Sequence, residues 1–338
     1  MTGRFPIEQI TPVLGCGGHP AKAVVGEVVP ISAVSYREGH DALGCSVVWA
    51  GPDGEPRPFT RMSQTEPGTD RWHATIRPDA VGAWTFTIEA FGDPYLTWRS
   101  AVVKKMEAGQ GAQDLANDFE VGARVLDQAA GIVPADRVAD VVAAAEALRD
   151  ADRPVAERAM PALDLADLLW QHPVREEVTS AGPWPIWVDR QRALFSAWYE
   201  LFPRSEGAVV GRDGRPVKHG TFATAAKRLP GVAKMGFDVV YLPPIHPIGR
   251  INRKGRNNSL VARREDVGSP WAIGSTEGGH DAIHPQLGTL DDFRRFIRQA
   301  KAQGLEVAMD LALQCAPDHP WVGDHPEWFT TLPDGSIA

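Results

Sequence analysis

The run Asp238 to Gly249, DVVYLPPIHPIG, is followed within a few residues by Arg253-Lys254-Gly255-Arg256-Asn257-Asn258. A second run, Leu305 to Leu313, continues through Gln314-Cys315-Ala316-Pro317-Asp318-His319-Pro320-Trp321. Each begins as an apolar strand and ends among ammonium, guanidinium, amide, carboxylate or imidazole groups. Donors and acceptors held at fixed positions can read a ring of hydroxyls by direction as well as by charge, and the layout is that of a barrel strand feeding a sugar-binding loop. Taken alone, Lys254 reads as one of several solvated cations between Arg250 and Arg256. Gln314 is equally a satisfied polar residue at a strand end, although barrels draw their functional side chains from such ends. Asn257, Asn258, His246 and His319 are further cleft candidates, and histidines are more often core or surface residues than catalytic ones. No cluster has metal-ligand spacing and no glycine-rich phosphate loop precedes a helix, so no metal or cofactor is expected.

The elements that must position these groups begin near Trp184, where strands and helices alternate. Ala197 to Phe202 reads as a strand, Thr221 to about Met235 as a helix, and Phe237 to Pro243 as a strand apolar enough to be buried on both faces. Thr289 with Asp292 three residues on is a variant of the capping box. It opens a helix whose buried stripe is Leu290, Phe293, Phe296, Ile297 and Ala300, and Leu305 to Leu313 is the third strand. This βαβαβ order fits a doubly wound sheet or a (β/α)8 barrel, and periodicity does not choose between them.

Upstream, Ala21 to about Val103 reads as short strands broken by turns, such as Ala23 to Ser35, Leu43 to Trp49 and the period-two run Trp84, Phe86, Ile88. An antiparallel sandwich of the immunoglobulin or fibronectin type is expected. Its tryptophans, Trp49, Trp72, Trp84 and Trp98, read as core before they read as a carbohydrate platform. From Lys104 to Thr179 the alternation gives way to helical spacing, as in Leu115, Phe119, Ala123 and Leu126, then Val138, Val141, Ala145 and Leu148, then one helix from Pro154 to His172. The expected architecture is multidomain. Residues 1–103 form a β-sandwich, 104–183 a helical bundle insertion, and 184–338 the start of a (β/α)8 barrel.

Composition narrows the function. A formal net charge of -8 at pH 7 argues against a nucleic-acid partner or a polybasic membrane patch, both of which need a clustered positive field. Met1 to Ile10 has no charged region leading into a long apolar one, so the expected location is cytoplasmic. Cys16, Cys45 and Cys315 lack Cys-x-x-Cys spacing, and Cys16 and Cys45 are expected to be small buried hydrophobes.

The residues after the strands discriminate further. Pro243-Pro244-Ile245, then Gly279-His280-Asp281-Ala282-Ile283-His284-Pro285 and Leu287-Gly288-Thr289, resemble the second strand and following helix of the α-amylase family. Asp310 to Gln314 lies where that family carries Asp-x-x-x-Asn-His, with Gln314-Cys315 in place of Asn-His. This variant, the Arg-Lys-Gly-Arg-Asn-Asn loop and Trp198-Tyr199-Glu200-Leu201-Phe202-Pro203-Arg204-Ser205 together resemble the bacterial α-1,4-glucan:maltose-1-phosphate maltosyltransferases of the GlgE type, along the whole chain.

The resemblance implies a retaining glycosyltransferase that moves maltosyl units from α-maltose 1-phosphate to the non-reducing end of α-1,4-glucans and releases phosphate. Such chemistry needs two close carboxylates, one nucleophilic and one acid/base. The resemblance places them on strands four and five, beyond Ala338. The barrel is therefore expected to be truncated after its third strand, the chain to hold no catalytic residue and to be inactive by itself, and Asp310 to orient the site. Lys254 and Gln314 are the implied maltosyl-binding residues, and the helical insertion the implied homodimer contact. The alternatives are an α-amylase-family hydrolase or trehalose-forming isomerase, which the Gln-Cys pair and the Arg-Lys-Gly loop count against, and a non-catalytic glucan-binding fragment.

Overall fold

Gly26, held at φ +80°, ends the first apolar run and turns what the pattern offers as one strand into two. In the computed structural model, which describes residues 3–337 apart from Thr65, Pro67, Asp213 and Arg215, the two halves join different sheets. Strands β1 (Ile7–Thr11), β2 (Ala21–Val24), β3 (Val29–Ser35), β4 (Leu43–Ala50), β5 (Thr60–Arg61), β6 (Ser63–Gln64), β7 (Arg71–Ile76) and β8 (Gly82–Gly92) come first. One sheet has the order β1-β3-β7-β6. The other runs β2-β9-β8-β4-β5, where β9 is Glu176–Asp189. Ile31, Ala33 and Trp72 from the first sheet meet Val47, Trp84, Phe86, Ile88 and Ile186 from the second in one core, as alternating inward residues do in a sandwich.

Four expectations are corrected here. The sandwich is not purely antiparallel, because β2 pairs with β9 in parallel register from Ala21 opposite Ile186 to Val24 opposite Asp189. Its boundary does not fall at residue 103, and the barrel-like region does not begin at Trp184. Strand β9 zips antiparallel onto β8 from Gly82 opposite Val188 to Gly92 opposite Glu176, and buries Ile186 and Val188 in the sandwich core. The long apolar strand β8 needs a partner along its whole edge, and only a segment beyond the helices supplies it. The chain accordingly divides into two compact units, Met1–Leu194 and Phe195–Ala338. Cys45 is buried as expected, but Cys16 is exposed, sitting at φ +53° in a tight turn that turns its thiol away from any core.

The helices inserted between β8 and β9 are α1 (Pro94–Glu107), α2 (Ala116–Ala129), α3 (Val138–Arg149), α4 (Val155–Leu163) and α5 (Ala166–Gln171). Asp93 caps α1 by accepting from the Leu96 amide, so the helix starts ten residues before the change of composition at Lys104. Trp98 therefore belongs to the bundle and not to the sandwich. Its indole donates to Asp118 O at 2.7 Å and lies where any side chain at Gly122 would stand. The single helix expected over Pro154 to His172 is two, with Pro161 inside α4 removing one of the backbone donors that would carry it on. Leu115, Phe119, Leu126, Val141, Leu148 and Leu169 form the bundle's own core. Asp93 also pairs with Arg61 of β5 at 2.5 Å, both side chains being almost wholly buried, and the Arg61 guanidinium lies 4.1 Å over the Trp170 ring.

In the second unit, strands β10 (Trp198–Glu200), β13 (Val239–Leu242) and β14 (Glu306–Met309) form a three-stranded parallel sheet in that order, beside a small hairpin of β11 (Val209–Val210) and β12 (Pro216–Lys218). The helix expected over Thr221 to Met235 is interrupted. It runs as α6 (Phe222–Ala225), a 3-10 turn and α7 (Leu229–Lys234), because Pro230 cannot donate to Ala226 O. The capping box of Thr289 and Asp292 starts α8 (Leu290–Ala302) as its spacing predicts. Phe296 and Ala300 of α8 pack with Phe222, Leu229, Val240 and Leu242, while Leu290 and Ile297, expected on the same face, are exposed. The opposite face of the sheet, which carries Trp198 and Tyr241, is open, and Trp198 is 53% exposed. On the edge strand β14, Met309 at the end of the helix-packed face is 40% exposed, and beyond the strand Leu311 is 71% and Leu313 86% exposed.

Candidate functional site

Pro243 and Pro244 end β13 and release a long loop that returns only at α8. Arg253 braces its near end from within. The guanidinium donates to Gly249 O at 2.7 Å, Ile248 O at 2.8 Å and Asp266 O at 3.0 Å, and burial holds its pKa below the usual arginine value, with Arg250 adding to the effect. Beyond it the chain turns back at Asn257 and Asn258, both left-handed at φ +55° and +63°, a conformation asparagine tolerates better than most residues. Lys254, Asn257 and Asn258 line an open cavity of about 820 Å³ with Arg256, Arg263, Glu265 and Asp266. All three sequence candidates of this loop are therefore exposed around one space.

The other candidates gather where the loop meets the chain after β14. Asp310 is not a free strand-end carboxylate. Its Oδ2 accepts from Trp271 Nε1 at 2.5 Å, and it faces the Tyr241 hydroxyl, whose pKa is raised first by burial and then by the hydrogen bond and charge of Asp310. An acceptor held in this way fixes its neighbours. His246 is buried, with Nδ1 donating to Ala282 O at 2.8 Å, and burial holds its pKa below that of a free imidazole. His319 is buried too and caps the short helix α9 (Pro320–Asp324), its Nδ1 accepting from the Trp321 amide at 3.1 Å. Both histidines are internal polar residues, each with a defined partner.

Gln314 is exposed and lies outside the lining of the Lys254 cavity. The structure thus sorts the candidates into two groups, Lys254, Asn257 and Asn258 around the cavity, and Asp310, His246 and His319 in the packed braid that leads to Gln314. Three residues of that braid were not singled out from sequence: Trp271, His280 and Asp318. Asp318 accepts from the Arg250 amide at 2.8 Å and so ties the two loops together. His280 bonds Ala312 O at 2.7 Å. The only sequence signal for His280 was its place in the Gly-His-Asp run.

Deeper in the unit, Arg204 donates to Gln286 Oε1 at 2.6 Å and lines a cavity of about 260 Å³ with Pro243, His246 and Leu287. Burial lowers its pKa to about 10, with Arg253 contributing. Burial likewise, followed by the charges of Arg204 and Arg253, lowers that of the neighbouring His284 to about 4. Among the described residues no three His, Cys, Asp or Glu side chains are arranged to hold a metal ion, and no helix is long and apolar enough to cross a membrane.

Comparison with known proteins matches residues 3–190 to the family described as α-1,4-glucan:maltose-1-phosphate maltosyltransferase, domain N/S. Among similar curated proteins, the α-1,4-glucan:maltose-1-phosphate maltosyltransferase 1 of Streptomyces coelicolor is 54% identical over 342 residues, covering 100% of this chain and 49% of that protein. The enzyme of the same name from Mycolicibacterium smegmatis is 52% identical over 366 residues, covering 100% of this chain and 52% of its own. That from Mycobacterium tuberculosis is 50% identical over 359 residues, covering 99% and 51%. The chain spans about half the length of these relatives.

Proposed function

Because this chain belongs to the α-1,4-glucan:maltose-1-phosphate maltosyltransferase family, we propose that it forms the donor-reading part of an enzyme that transfers maltosyl units from α-maltose 1-phosphate to the non-reducing end of α-1,4-glucans. The observation that carries this reading is the 50–54% identity with maltosyltransferases along essentially the whole chain. In this reading the parallel sheet β10-β13-β14 is the first third of a (β/α)8 barrel. The open face with Trp198 and Tyr241 supports that assignment, since parallel sheets are normally covered on both sides. Lys254 and Gln314 bind the maltosyl group, supported by their exposure on the loops that follow β13 and β14, the side on which barrel enzymes build their sites.

Retaining transfer requires a nucleophilic carboxylate and a second acid/base carboxylate about 5 Å away. Asp310 is neither, since its carboxylate is committed to Trp271. Its part is to hold the strand end, and in this reading the reacting carboxylates belong to barrel strands other than these three, so that these residues alone are inactive. The helices between β8 and β9 serve homodimer contacts in this reading, and the free thiols of Cys16, Cys45 and Cys315 suit a reducing, cytoplasmic setting.

The test is kinetic, in a complete enzyme carrying these residues. Lys254→Ala and Gln314→Ala should each lower kcat/KM for maltose 1-phosphate by an amount on the order of 1 to 3 kcal/mol, the size of a lost buried hydrogen bond. Phosphate release at the wild-type rate in both variants refutes the assignment.

A further inference from the structure

The stretch between β14 and α9 is gripped by the segment 271–280 at three points. Trp271 Nε1 donates to Asp310 Oδ2 at 2.5 Å, the Ala316 amide donates to Ile273 O at 2.7 Å, and His280 Nε2 bonds Ala312 O at 2.7 Å. The outer two hold the ends. His280 holds the middle, the exposed turn of chain that carries Leu311, Leu313 and Gln314.

The proton positions follow from the partners. Trp321 N–H donates to His319 Nδ1, so the proton of neutral His319 is on Nε2. It is therefore donated to His280 Nδ1, 3.0 Å away, which leaves the His280 proton on Nε2 for the Ala312 carbonyl. Every ring nitrogen of the pair is used, in one direction, from a backbone amide to a backbone carbonyl. The packing agrees with this alignment. The His280 ring stacks on Trp321 with centroids 5.5 Å apart and planes 13° off parallel, and Gly274 and Gly279 are bare where any Cβ would run into the His319 ring. Burial and the nearby His280 and His246 hold the pKa of His319 below the ordinary value, with Asp281 pulling the other way. That favours the neutral form the relay needs.

We propose that His280 is a positioning residue for Gln314: through the Ala312 carbonyl it fixes the backbone from which Gln314 presents its amide to a bound sugar. This rests on the reading of Gln314 as a maltosyl-binding residue. Removing the imidazole leaves Ala312 O and His319 Nε2 without partners, and the turn between Asp310 and Ala316 loses its central anchor. A glutamine at the position retains one donor and one acceptor and can bridge both.

The experiment uses the 338-residue chain carrying ¹⁵N-glutamine, titrated with maltose, with the Gln314 side-chain signal assigned by its loss in Gln314→Ala. In the wild type that signal should shift saturably. His280→Ala should weaken the apparent affinity by about tenfold and His280→Gln should restore it to within about threefold, as for one hydrogen bond lost and regained. Gly279→Ala, which leaves His280 in place but displaces His319, should weaken binding in the same sense, and it decides the matter if His280→Ala fails to fold. A wild-type maltose response in both His280→Ala and Gly279→Ala overturns the positioning role alone. No response of Gln314 in the wild type overturns the sugar reading of Gln314, and the proposal with it.

Discussion

The sheets of the first unit turn their apolar faces toward each other, while the parallel sheet of the second has one face packed on helices and one open. In the first unit Ile31, Val47, Phe86 and Ile88 are wholly buried between two layers, and the helices carry a separate core of their own. In the second, Val240 and Leu242 are buried against α6, α7 and α8, but Trp198 on the other face stays wet. Burial of apolar area is the main favourable contribution to folding, at about 25 cal/mol per Å², so a sheet covered on one side draws roughly half of what its composition offers. The two units should therefore differ in stability and in what destabilises them.

The sharpest way to break the first unit is Arg61→Ala. It leaves the Asp93 carboxylate buried beside α1 without its partner, and such a loss costs about 3 to 5 kcal/mol. Met309→Ser at the exposed end of the edge strand β14 in the second unit should change stability by less than about 0.5 kcal/mol, as exposed substitutions do. Urea unfolding followed separately for each unit measures both, and similar effects for the two would erase the contrast.

Hydrogen exchange reads the same difference without mutation. Amides of β8, paired on both sides by β4 and β9, should open with a free energy about 3 kcal/mol or more above those of β14, which pairs only with β13 among the described residues. Equal protection would mean that the three-stranded sheet is self-sufficient.

A smaller effect separates the units by pH. The folded pKa of His284 is depressed to about 4, whereas an unfolded histidine titrates near 6.5. Between those values the unfolded chain binds the proton and the folded one does not. Stability of the second unit is then full above about pH 6.5 and falls by an amount on the order of 2 kcal/mol as pH drops toward 4. His284→Gln should flatten that slope in acid titrations monitored at 25 °C. An unchanged slope would assign the acid sensitivity to another group.

The least perturbing comparison lies within the first unit. Cys16 is exposed, while Cys45 is wholly buried with its thiol pushed up to about 12 by burial. A thiol reagent at pH 8 should therefore modify Cys16 in the native chain and reach Cys45 only after unfolding. Early labelling of Cys45 would show that the sandwich opens more readily than its packing indicates.

Local chemistry was legible in the sequence where the cause is local. The period of Trp84, Phe86 and Ile88 foretold a strand with one buried face, and Thr289 with Asp292 foretold the start of α8. What depended on a distant partner was not legible. Nothing near Trp184 announces that it continues a sheet begun before α1, because its pairing partners on β8 are separated from it by five helices. Trp98 was misplaced for a related reason, its cap at Asp93 lying ahead of any helical composition. At the candidate site, Lys254 was singled out by the family resemblance and Asn257 and Asn258 as its loop neighbours, and the structure places all three around one cavity. His280 was missed because its contact is a main-chain carbonyl, and a carbonyl leaves no mark on residue identity.

Strand β8 ends at Gly92, and Gly92 is paired with Glu176, where β9 begins. The chain therefore leaves the sheet and re-enters it at the two ends of one rung, with the helices α1 to α5 looped out between them. In engineering terms the bundle is a cassette held in a two-point socket. Its excision, with a short turn joining the two strand ends, should leave the register of the host sheet untouched, and the same socket should accept an unrelated domain whose ends lie as close together.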